Sequence, residues 1–316
     1  MQERWANLNS TKAVKLISWY VTLNLSLVII CLVLSNPQVT NAQLVFEELF
    51  ASLDLSMLVG TSETVCTLSI CITQGRAGKI SDLKIRQWIA GVTDGDGNLY
   101  ISGKGYVEYS VVMEPRDIAC LFKLKDRYGG SVKATSHAKA VRFRLHHKEG
   151  ILRLINDISG LVQNPVRIEQ LNKVCSMYNI QALQPETLVY NSAYLSGLFD
   201  SDGSVYYNKE SNQVFITVGQ KRRELLDLLL SVYGGKIYSS NKEGTAFKWT
   251  VSRKSEVLAL VNDYFHWNSC VSAKNKKFGM VKHFYYLSSI GALSAPIESP
   301  LGKSFALFAE RWEATT

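Results

Sequence analysis

Four aspartates in two matched positions are the residues of this chain best suited to metal chemistry. Residues 89–97 read IAGVTDGDG and residues 195–203 read LSGLFDSDG, so each run ends in acid, small residue, acid and glycine. Carboxylate and carbonyl oxygens are the ligands that Mg²⁺ prefers, and the ion takes its remaining ligands from water and phosphate. Two such ions could activate water and stabilise the leaving oxygen in phosphodiester hydrolysis. Two matched sites in one chain favour a substrate with approximate two-fold symmetry, and duplex DNA is the obvious candidate.

The two runs belong to a longer internal repeat. Four pairs of landmarks keep one order at a spacing of 105–107 residues: Asp96 and Asp202, Gly129-Gly130 and Gly234-Gly235, Leu152–Asp157 and Leu258–Asp263, and Arg167 and Lys274. This period is far longer than the units of solenoid arrays, so it indicates two subdomains. We place the first repeat at residues 83–190 and the second, with a C-terminal tail, at residues 191–316.

The positive charge of the chain lies in the repeated part. The chain has 35 Lys and Arg against 27 Asp and Glu, a net charge of +8, but residues 1–80 hold five of each sign. A basic surface attracts polyanions because binding releases their counterions. The six cysteines are scattered without a CxxC pair, which argues against a zinc site or a disulfide framework and predicts reduced, mostly buried thiols.

Residues 1–82 are predicted to be a hydrophobic leader or linker. Leu16–Leu34 is a run of nineteen residues without a formal charge, and that length could just span a bilayer or form the core of a signal peptide. Asn24 and several Ser and Thr residues weaken both interpretations. A membrane anchor is therefore the alternative to a leader that is partly ordered or removed.

Each repeat is predicted to have the element order α-β-β-α-β-β-α. In the first repeat, apolar residues at helical spacing precede Asp94, alternating residues follow it, and Gly129-Gly130 ends the next helix. Gly91 and Gly197 lie within the two motif helices, where a missing Cβ lets two backbones approach closely. If these helices pack together, their C-terminal acids meet near a pseudo-two-fold axis.

A calcium loop is the main alternative for the acidic runs, and it fails. The EF-hand loop requires glycine at its sixth position. Leu99 and Val205 stand there.

The chain resembles the LAGLIDADG homing endonucleases of organellar introns in their single-chain, two-motif form. The resemblance covers residues 83 to about 312 and rests on both nine-residue motifs, the Tyr-Gly-Gly stops and the segment Ser272-Ala273-Lys274. Thr93 and Ser196 depart from the usual motif residues but leave the acids intact. The resemblance implies an α+β fold in which two pseudo-symmetric repeats form a saddle of antiparallel sheets, with the motif helices at the interface.

The resemblance also implies the catalytic residues. It assigns metal binding to Asp96 and Asp202, with the backbone carbonyls of Gly95 and Ser201 nearby, and the first acids Asp94 and Asp200 are then structural. Two or three Mg²⁺ ions are expected, with Mn²⁺ or Ca²⁺ able to substitute for binding. Further catalytic candidates are two polar residues at strand ends and two cations ahead of the last helix of each repeat: Gln220, its counterpart Glu114, Lys274 and Arg167. For these four, a surface or salt-bridge role is the alternative.

The strands carry the expected DNA recognition, because a twisted sheet could lie in the major groove where base edges differ. One half-site would be read by Tyr100, Ser102, Lys104, Tyr106, Lys133, Thr135, Arg142 and Arg144. The other would be read by Tyr206, Asn208, Lys209, Gln213, Thr217, Tyr238, Ser240, Lys242, Lys248 and Thr250. The alternative is that alternating polar positions are only the wet face of a half-buried sheet. The run Lys221-Arg222-Arg223 suits phosphate contacts or plain solvated charge.

These expectations combine into a site-specific double-strand DNA endonuclease encoded within an organellar intron. The main alternative is an RNA-binding maturase that assists splicing of its host intron, with or without DNA cleavage. Intact Asp96 and Asp202 argue against a binding protein without catalysis. A monomer without an obligate protein partner is expected, because one chain supplies both acids. Location in the mitochondrion is expected, with the chloroplast as the alternative.

Overall fold

The computed structural model describes residues 81–135, 139–241 and 243–315. The leader and its apolar run Leu16–Leu34 lie outside these residues, so the boundary at residue 82 stays a prediction. Within the described ranges, no helix combines the length and the apolar character needed to cross a membrane.

The first repeat consists of helices and strands in the predicted order, followed by one more helix. In chain order they are a helix over residues 81–96 (α1), β1 (Gly97–Ile101), β2 (Val107–Met113), α2 (Ile118–Tyr128), β3 (Ser131–Ala134), β4 (Val141–Leu145), α3 (Lys148–Ile158) and α4 (Pro165–Met177). Asn164 caps α4, since its side-chain oxygen accepts a 3.1 Å hydrogen bond from the backbone N–H of Val166. Pro165 suits the first helical position because that N–H has no partner within a helix.

The second repeat has the same order and a longer C-terminal part. Its elements are α5 (Tyr194–Asp202), β5 (Gly203–Asn208), β6 (Gln213–Gln220), α6 (Glu224–Tyr233), β7 (Lys236–Ser239), β8 (Phe247–Val251), α7 (Lys254–Ala259), α8 (Asn275–Ser289) and α9 (Pro300–Ala314). A π-helical turn, Leu260–Tyr264, and the short helix Phe265–Trp267 extend α7. The buried rings of Phe308 and Trp312 fasten α9 onto the repeat.

Glycine ends the helix between the two hairpins in both repeats, as predicted. The residues after α2 and α6 are Gly129 and Gly234, with φ of 77° and 72°. A residue with a side chain is strained at such φ values. The repeated Tyr-Gly-Gly sequence therefore encodes the same chain reversal twice.

The eight strands form two four-stranded antiparallel sheets with the orders β1-β2-β4-β3 and β5-β6-β8-β7. Strand residues alternate between buried and more exposed positions, and helices pack on the buried face of each sheet. Tyr109, Phe143 and Trp249 are among the large side chains completely buried there. The α+β prediction is confirmed.

The predicted order lacked the helix that closes the first repeat. Residues 165–177 form α4, which packs against β1. Arg167 consequently lies inside the first turn of α4 rather than ahead of it, whereas Lys274 stands immediately before α8 as predicted.

Candidate active site

The motif helices α1 and α5 touch backbone to backbone at their glycines. A Cβ added to Gly91 would lie 2.1 Å from the carbonyl oxygen of Tyr194, and one added to Gly197 would lie 1.9 Å from that of Trp88. Near the helix ends, a Cβ on Gly95 would lie 2.4 Å from the Cβ of Ser201. These separations are far below van der Waals contact, so a larger residue would force the helices apart. The close approach predicted for Gly91 and Gly197 is confirmed.

The first acid of each motif fixes the end of its helix to a loop. Asp94 Oδ2 accepts a hydrogen bond of 2.7 Å from the backbone N–H of Gln163, just ahead of α4. Asp200 Oδ1 accepts one of 3.0 Å from the backbone N–H of Ser272, just ahead of α8. Both carboxyl groups are buried. The structural role predicted for the first acids agrees with these contacts.

Each first acid also accepts a hydrogen bond from an aromatic residue of the opposite motif helix. Trp88 Nε1 donates to Asp200 Oδ2 at 2.7 Å, and the Tyr194 hydroxyl donates to Asp94 Oδ2. We call these two bonds the reciprocal latch. Trp88 and Tyr194 occupy equivalent positions 106 residues apart, so the latch repeats the pseudo-symmetry of the chain.

The second acids, Asp96 and Asp202, lie together where the motif helices end. A Cβ on Gly95 would lie 3.0 Å from Asp202 Oδ2, which shows how tightly the two loops meet. Burial, and then the charge of Asp96, raises the pKa of Asp202 to about 7. Burial also raises the pKa of Asp96, against the opposing charge of Lys274. Two desolvated carboxylates, with the charge of Asp96 opposing the ionisation of Asp202, form the electrostatic centre of the site.

Gln220 contacts this centre directly. Its side-chain amide donates a 2.5 Å hydrogen bond to Asp202 Oδ2, and it stands at the end of β6, as predicted. The hydrogen bond lowers the pKa of Asp202 and so favours its ionised form.

Arg167 and Lys274 occupy matching places beside the two helix ends. Arg167 Nη2 donates to the carbonyl oxygen of Gly95 at 3.2 Å. Lys274 Nζ donates to the carbonyl oxygens of Phe199, Asp200 and Ser201 at 3.1, 2.9 and 2.8 Å. Both cations lower the pKa of Asp202. They therefore cap the C-terminal carbonyls and supply positive charge to the acids.

The acids offer a donor set that fits a hard divalent cation. No group of three or more His, Cys, Asp or Glu side chains in the part of the chain that the structure describes could by itself hold a metal ion. Two carboxylates suffice for Mg²⁺, because it retains several waters and takes phosphate oxygens. Burial and then the charge of Asp96 raise the pKa of Asp202, and a cation here would offset both effects. The carbonyl oxygens of Gly95 and Ser201, which are also expected to bind metal, accept hydrogen bonds from Arg167 and Lys274. Each carbonyl oxygen has a second lone pair that could still bind a metal ion.

An open cleft of about 610 Å³ lies beside Asp202. Its lining is rich in polar and basic groups: Asp94, Gly95, Asn164, Val166, Arg167, Asp202, Gly219, Gln220, Lys221, Arg222, Ser240, Ala246 and Phe247. The cleft draws on both repeats, because Arg167 comes from the first and Gln220 from the second. Its acids and cations together suit a phosphate group with a bound divalent ion.

The predicted equivalence of Glu114 and Gln220 is wrong by one residue. Strand pairing places Met113 opposite Val141 and Gln220 opposite Phe247, at corresponding positions of the two sheets. The β5–β6 hairpin is one residue longer than the β1–β2 hairpin. The spacing between equivalent residues of the two repeats therefore changes from 106 before the turn to 107 after it. Glu114 lies beyond β2, where its carboxylate pairs with Arg116 at 2.7 Å. The structure thus brings Gln220, Arg167 and Lys274 to the acids and places Glu114 in an exposed ion pair.

The open face of the first sheet carries most of its predicted DNA-reading residues. Tyr100, Lys133 and Arg144 are exposed there, and Arg142 is half-buried. Arg144 Nε makes a 3.1 Å ion pair with Glu108 on the neighbouring strand. The hairpin loop exposes Lys104 and Tyr106, while Ser102 closes that turn by accepting a 2.9 Å hydrogen bond from the Tyr106 N–H. Thr135 follows β3 and is half-buried.

The second sheet agrees with the prediction at its edges and differs at its centre. Exposed positions are held by Tyr206, Gln213, Tyr238, Ser240 and Lys248, and Asn208, the last residue of β5, is half-buried. Thr217 and Thr250 are only 3% and 6% exposed, so the expectation that they are available to read DNA is wrong. They are short residues paired across the two central strands.

Two further residues predicted to contact DNA, Lys209 and Lys242, are not free cations on the open sheet face of the described structure. Lys209 makes a 2.5 Å ion pair with Glu313 of α9, so its charge is already partnered. Lys242 lies outside the described residues.

Sequence reasoning missed three features of the site. These are the reciprocal latch, the placement of Lys221 and Arg222 in the cleft, and the buried Asp117, whose charge raises the pKa of Asp96. The 106-residue match of Trp88 with Tyr194 could have revealed the latch. Asp117 has no sequence signal, because it lies in an ordinary polar turn that also contains a glutamate and an arginine.

Comparison with known proteins finds a matching family model, related intron-encoded proteins and solved structures of similar fold. A family model described as a LAGLIDADG-like domain matches residues 190–246. The intron-encoded RNA maturase bI4 of Saccharomyces cerevisiae is 36% identical over 242 residues, which is 74% of this chain but only 37% of the maturase, so the chain spans less than half of that relative. The intron-encoded DNA endonuclease ai2b of Dictyostelium discoideum is 32% identical over 213 residues, 64% of this chain and 80% of that protein. Among solved structures, the meganuclease I-SmaMI bound to uncleaveable DNA aligns with a TM-score of 0.54 and 18% identity over 73% of this chain and 97% of its own. At that identity the likeness bears on the fold alone.

Proposed function

Because the chain belongs to the LAGLIDADG homing endonuclease family, we propose that it is a site-specific endonuclease that hydrolyses both strands of a DNA duplex. The observation that carries this proposal is the meeting of Asp96 and Asp202 at the ends of two helices in backbone contact. A carboxylate pair on a pseudo-two-fold axis matches the symmetry of two antiparallel strands. The cleft beside Asp202 offers cations for phosphate.

Asp96 and Asp202 would hold divalent ions, with Mg²⁺ the best match to their oxygen ligands and with the Gly95 and Ser201 carbonyls adjacent. Bound there, the ions would lower the pKa of water and stabilise the leaving oxygen. Gln220 holds one Asp202 oxygen and can orient a nearby water with its remaining amide atoms. Arg167 and Lys274 place fixed positive charge where the phosphate becomes more negative, and such preorganised charge lowers the barrier.

The open sheet faces would recognise the target. Tyr100, Lys133 and Arg144 on one sheet and Tyr238 and Lys248 on the other present aromatic and cationic groups suited to base edges and phosphates. The sheets differ in sequence, so the target should be long and only loosely palindromic. Two half-sites one helical turn apart give a target of roughly 20 base pairs. One chain supplies both acids, which supports a monomer as the active species.

An RNA maturase is the second candidate, and the 36% identity to the maturase bI4 supports it. Such a protein would bind the structured RNA of its host intron through basic surfaces and promote splicing. Both activities can coexist in one chain, because intact acids are needed only for cleavage. Either function is consistent with an intron-encoded protein of the mitochondrion, the location we propose.

A cleavage test on the DNA that spans the intron insertion site distinguishes these functions. The purified protein is incubated with this duplex in Mg²⁺ or in EDTA, and with the host intron RNA in a parallel splicing reaction. Mg²⁺-dependent cleavage of both strands at one position supports the endonuclease. Accelerated splicing without DNA cleavage would contradict it and favour the maturase.

A further inference from the structure

Three consecutive backbone N–H groups just ahead of α8 donate to carboxylates of two different repeats. The N–H groups of Val271 and Ser272 donate to Asp200 at 2.9 and 3.0 Å. The N–H of Ala273 donates instead to Oδ1 of Asp117 at 2.8 Å. Asp117 belongs to the first repeat, in the turn between β2 and α2, and is only 5% exposed. A turn of the first repeat therefore holds a loop of the second.

The residue after this loop is Lys274, the cation beside the second motif helix. Its Nζ donates to the carbonyl oxygens of Phe199, Asp200 and Ser201 at 3.1, 2.9 and 2.8 Å. A lysine ammonium is carried on a flexible four-carbon stem, so its place depends on where its backbone is held. The hydrogen bond to Asp117 fixes the backbone of the residue immediately ahead of Lys274.

The first repeat lacks both partners of this hydrogen bond. There Asp94 accepts hydrogen bonds of 2.7 and 3.0 Å from the two N–H groups ahead of α4. The next residue is Pro165, which has no N–H to donate. Counted on from the aligned ends of β2 and β6, Glu224 stands at the place of Asp117, and it is exposed at the start of α6. The cross-repeat contact of Asp117 therefore serves the Lys274 half of the site.

We propose that Asp117 is a positioning residue that acts from the first repeat on Lys274 of the second. Its carboxylate holds the Ala273 N–H, and this bond fixes the backbone from which the Lys274 side chain reaches the end of α5. A cation lowers the barrier when it is already in place as negative charge develops on the phosphate. A loosened loop should consequently slow hydrolysis and leave DNA affinity unchanged. This inference rests on the proposed endonuclease function.

Four variants separate positioning from stability. Asp117→Ala removes both the acceptor and the charge, whereas Asp117→Asn removes the charge and keeps an oxygen acceptor. The difference between these two variants therefore measures the hydrogen bond alone. Ala273→Pro removes the donor and gives this loop the residue that the first repeat has at the equivalent place. Asp157→Asn is the control for lost stability, since Asp157 is also 5% exposed but pairs with Arg127 and Tyr128 of α2.

Cleavage, binding and loop mobility are measured on each variant. Single-turnover cleavage of the target duplex in Mg²⁺ and binding to the same duplex in Ca²⁺ are followed at a temperature where circular dichroism shows the variants folded. Amide hydrogen exchange of residues 270–275, measured by mass spectrometry on the DNA-free protein, reports whether the loop has loosened. Cleavage is also compared between Lys274→Ala and the double variant Asp117→Ala/Lys274→Ala, because a residue that acts through Lys274 loses its effect when Lys274 is absent.

Asp117→Ala and Ala273→Pro should each slow cleavage by roughly tenfold or more, with unchanged DNA affinity and faster amide exchange in residues 270–275. Asp117→Asn should cut at close to the wild-type rate. Asp157→Asn should lower the melting temperature and leave both the cleavage rate and the exchange of the loop unchanged. In the Lys274→Ala background, Asp117→Ala should have no further effect. If Asp117→Ala does not fold, Ala273→Pro makes the same test from the donor side.

An Asp117→Ala variant that cuts at the wild-type rate would overturn the inference, and so would one whose effect is undiminished in the Lys274→Ala background. Equal losses of cleavage in Asp117→Ala and Asp117→Asn would also overturn it, because the charge rather than the hydrogen bond would then be responsible. A wild-type protein that cuts neither strand would instead contradict the proposed function.

Discussion

Trp88 Nε1 donates a 2.7 Å hydrogen bond to Asp200 Oδ2 across the interface of the motif helices, and Tyr194 makes the equivalent bond to Asp94. Each bond of the latch joins one motif helix to the first acid of the other motif helix. That acid in turn holds its own helix to a loop. The candidate catalytic acids Asp96 and Asp202 follow the latched acids by two residues, so the latch helps to set their separation.

Removing one latch donor should destabilise the protein. Tyr194→Phe leaves the buried Asp94 carboxylate without its cross-interface partner, at an expected cost of about 1–3 kcal/mol in the free energy of unfolding. Urea denaturation measures this cost. Tyr286→Phe removes a hydroxyl from a residue that is 61% exposed and should be neutral. Equal stability of the two variants would contradict a structural role for the latch.

Gly197 should not tolerate even one added methyl group. In Gly197→Ala the Cβ would lie 1.9 Å from the Trp88 carbonyl oxygen, so the helices must separate at a cost of about 1–3 kcal/mol. The acids would move apart as well, and cleavage should fall further than stability. Gly279→Ala is the matched control, because a Cβ added there would meet no atom of the described residues within 4 Å and α8 should gain up to about 1 kcal/mol. Thermal unfolding and cleavage assays on both variants test this directly.

Asp96→Asn and Asp202→Asn should each abolish double-strand cleavage and leave DNA binding largely intact. Each change removes a metal-ligand charge but very little contact area. Gel-shift titration in Ca²⁺ and cleavage in Mg²⁺ separate the two effects. Normal cleavage by either variant would show that the metal assignment is wrong.

Metal binding should strengthen as the pH rises through about 7. The pKa of Asp202 is raised from 3.8 to about 7, so at pH 6 a divalent ion must displace a proton that is absent at pH 8. In the metal-free protein the same shift lowers the free energy of unfolding as pH rises from about 4 to about 7, because the unfolded carboxyl ionises first. The rise in melting temperature caused by Mg²⁺ should therefore be larger at pH 8 than at pH 6. Asp202→Asn should reduce this difference.

Arg144→Ala should relax sequence preference at a few base pairs in one half-site only. Arg144 is exposed on the open face of the first sheet and paired with Glu108. A lost base contact typically costs about 1–3 kcal/mol. Binding measured on single-base variants of the target gives the profile, and Lys248→Ala provides a separate test of an exposed cation on the second sheet. A profile disturbed equally in both halves would contradict separate half-site recognition.

The sequence was sufficient to predict the repeat, the strands of the sheets and the helix contact at Gly91 and Gly197. Each of these follows from a local sequence pattern or from the missing Cβ of glycine. It was insufficient for the alignment of Met113 with Gln220, because a single extra residue in a hairpin changes register without changing the apolar pattern. Thr217 and Thr250 show a second limit. Alternation assigns a side chain to a face of the sheet, but it does not show whether that side chain reaches solvent.

The backbone contact between Gly91 and Gly197 has an evolutionary consequence. A change at this contact requires compensation from the opposite repeat, so the two glycines are constrained jointly. A change at Arg144 or Lys248 affects one sheet and leaves the helix contact untouched. New target preferences can therefore arise one half-site at a time while the distance between the two cuts stays constant.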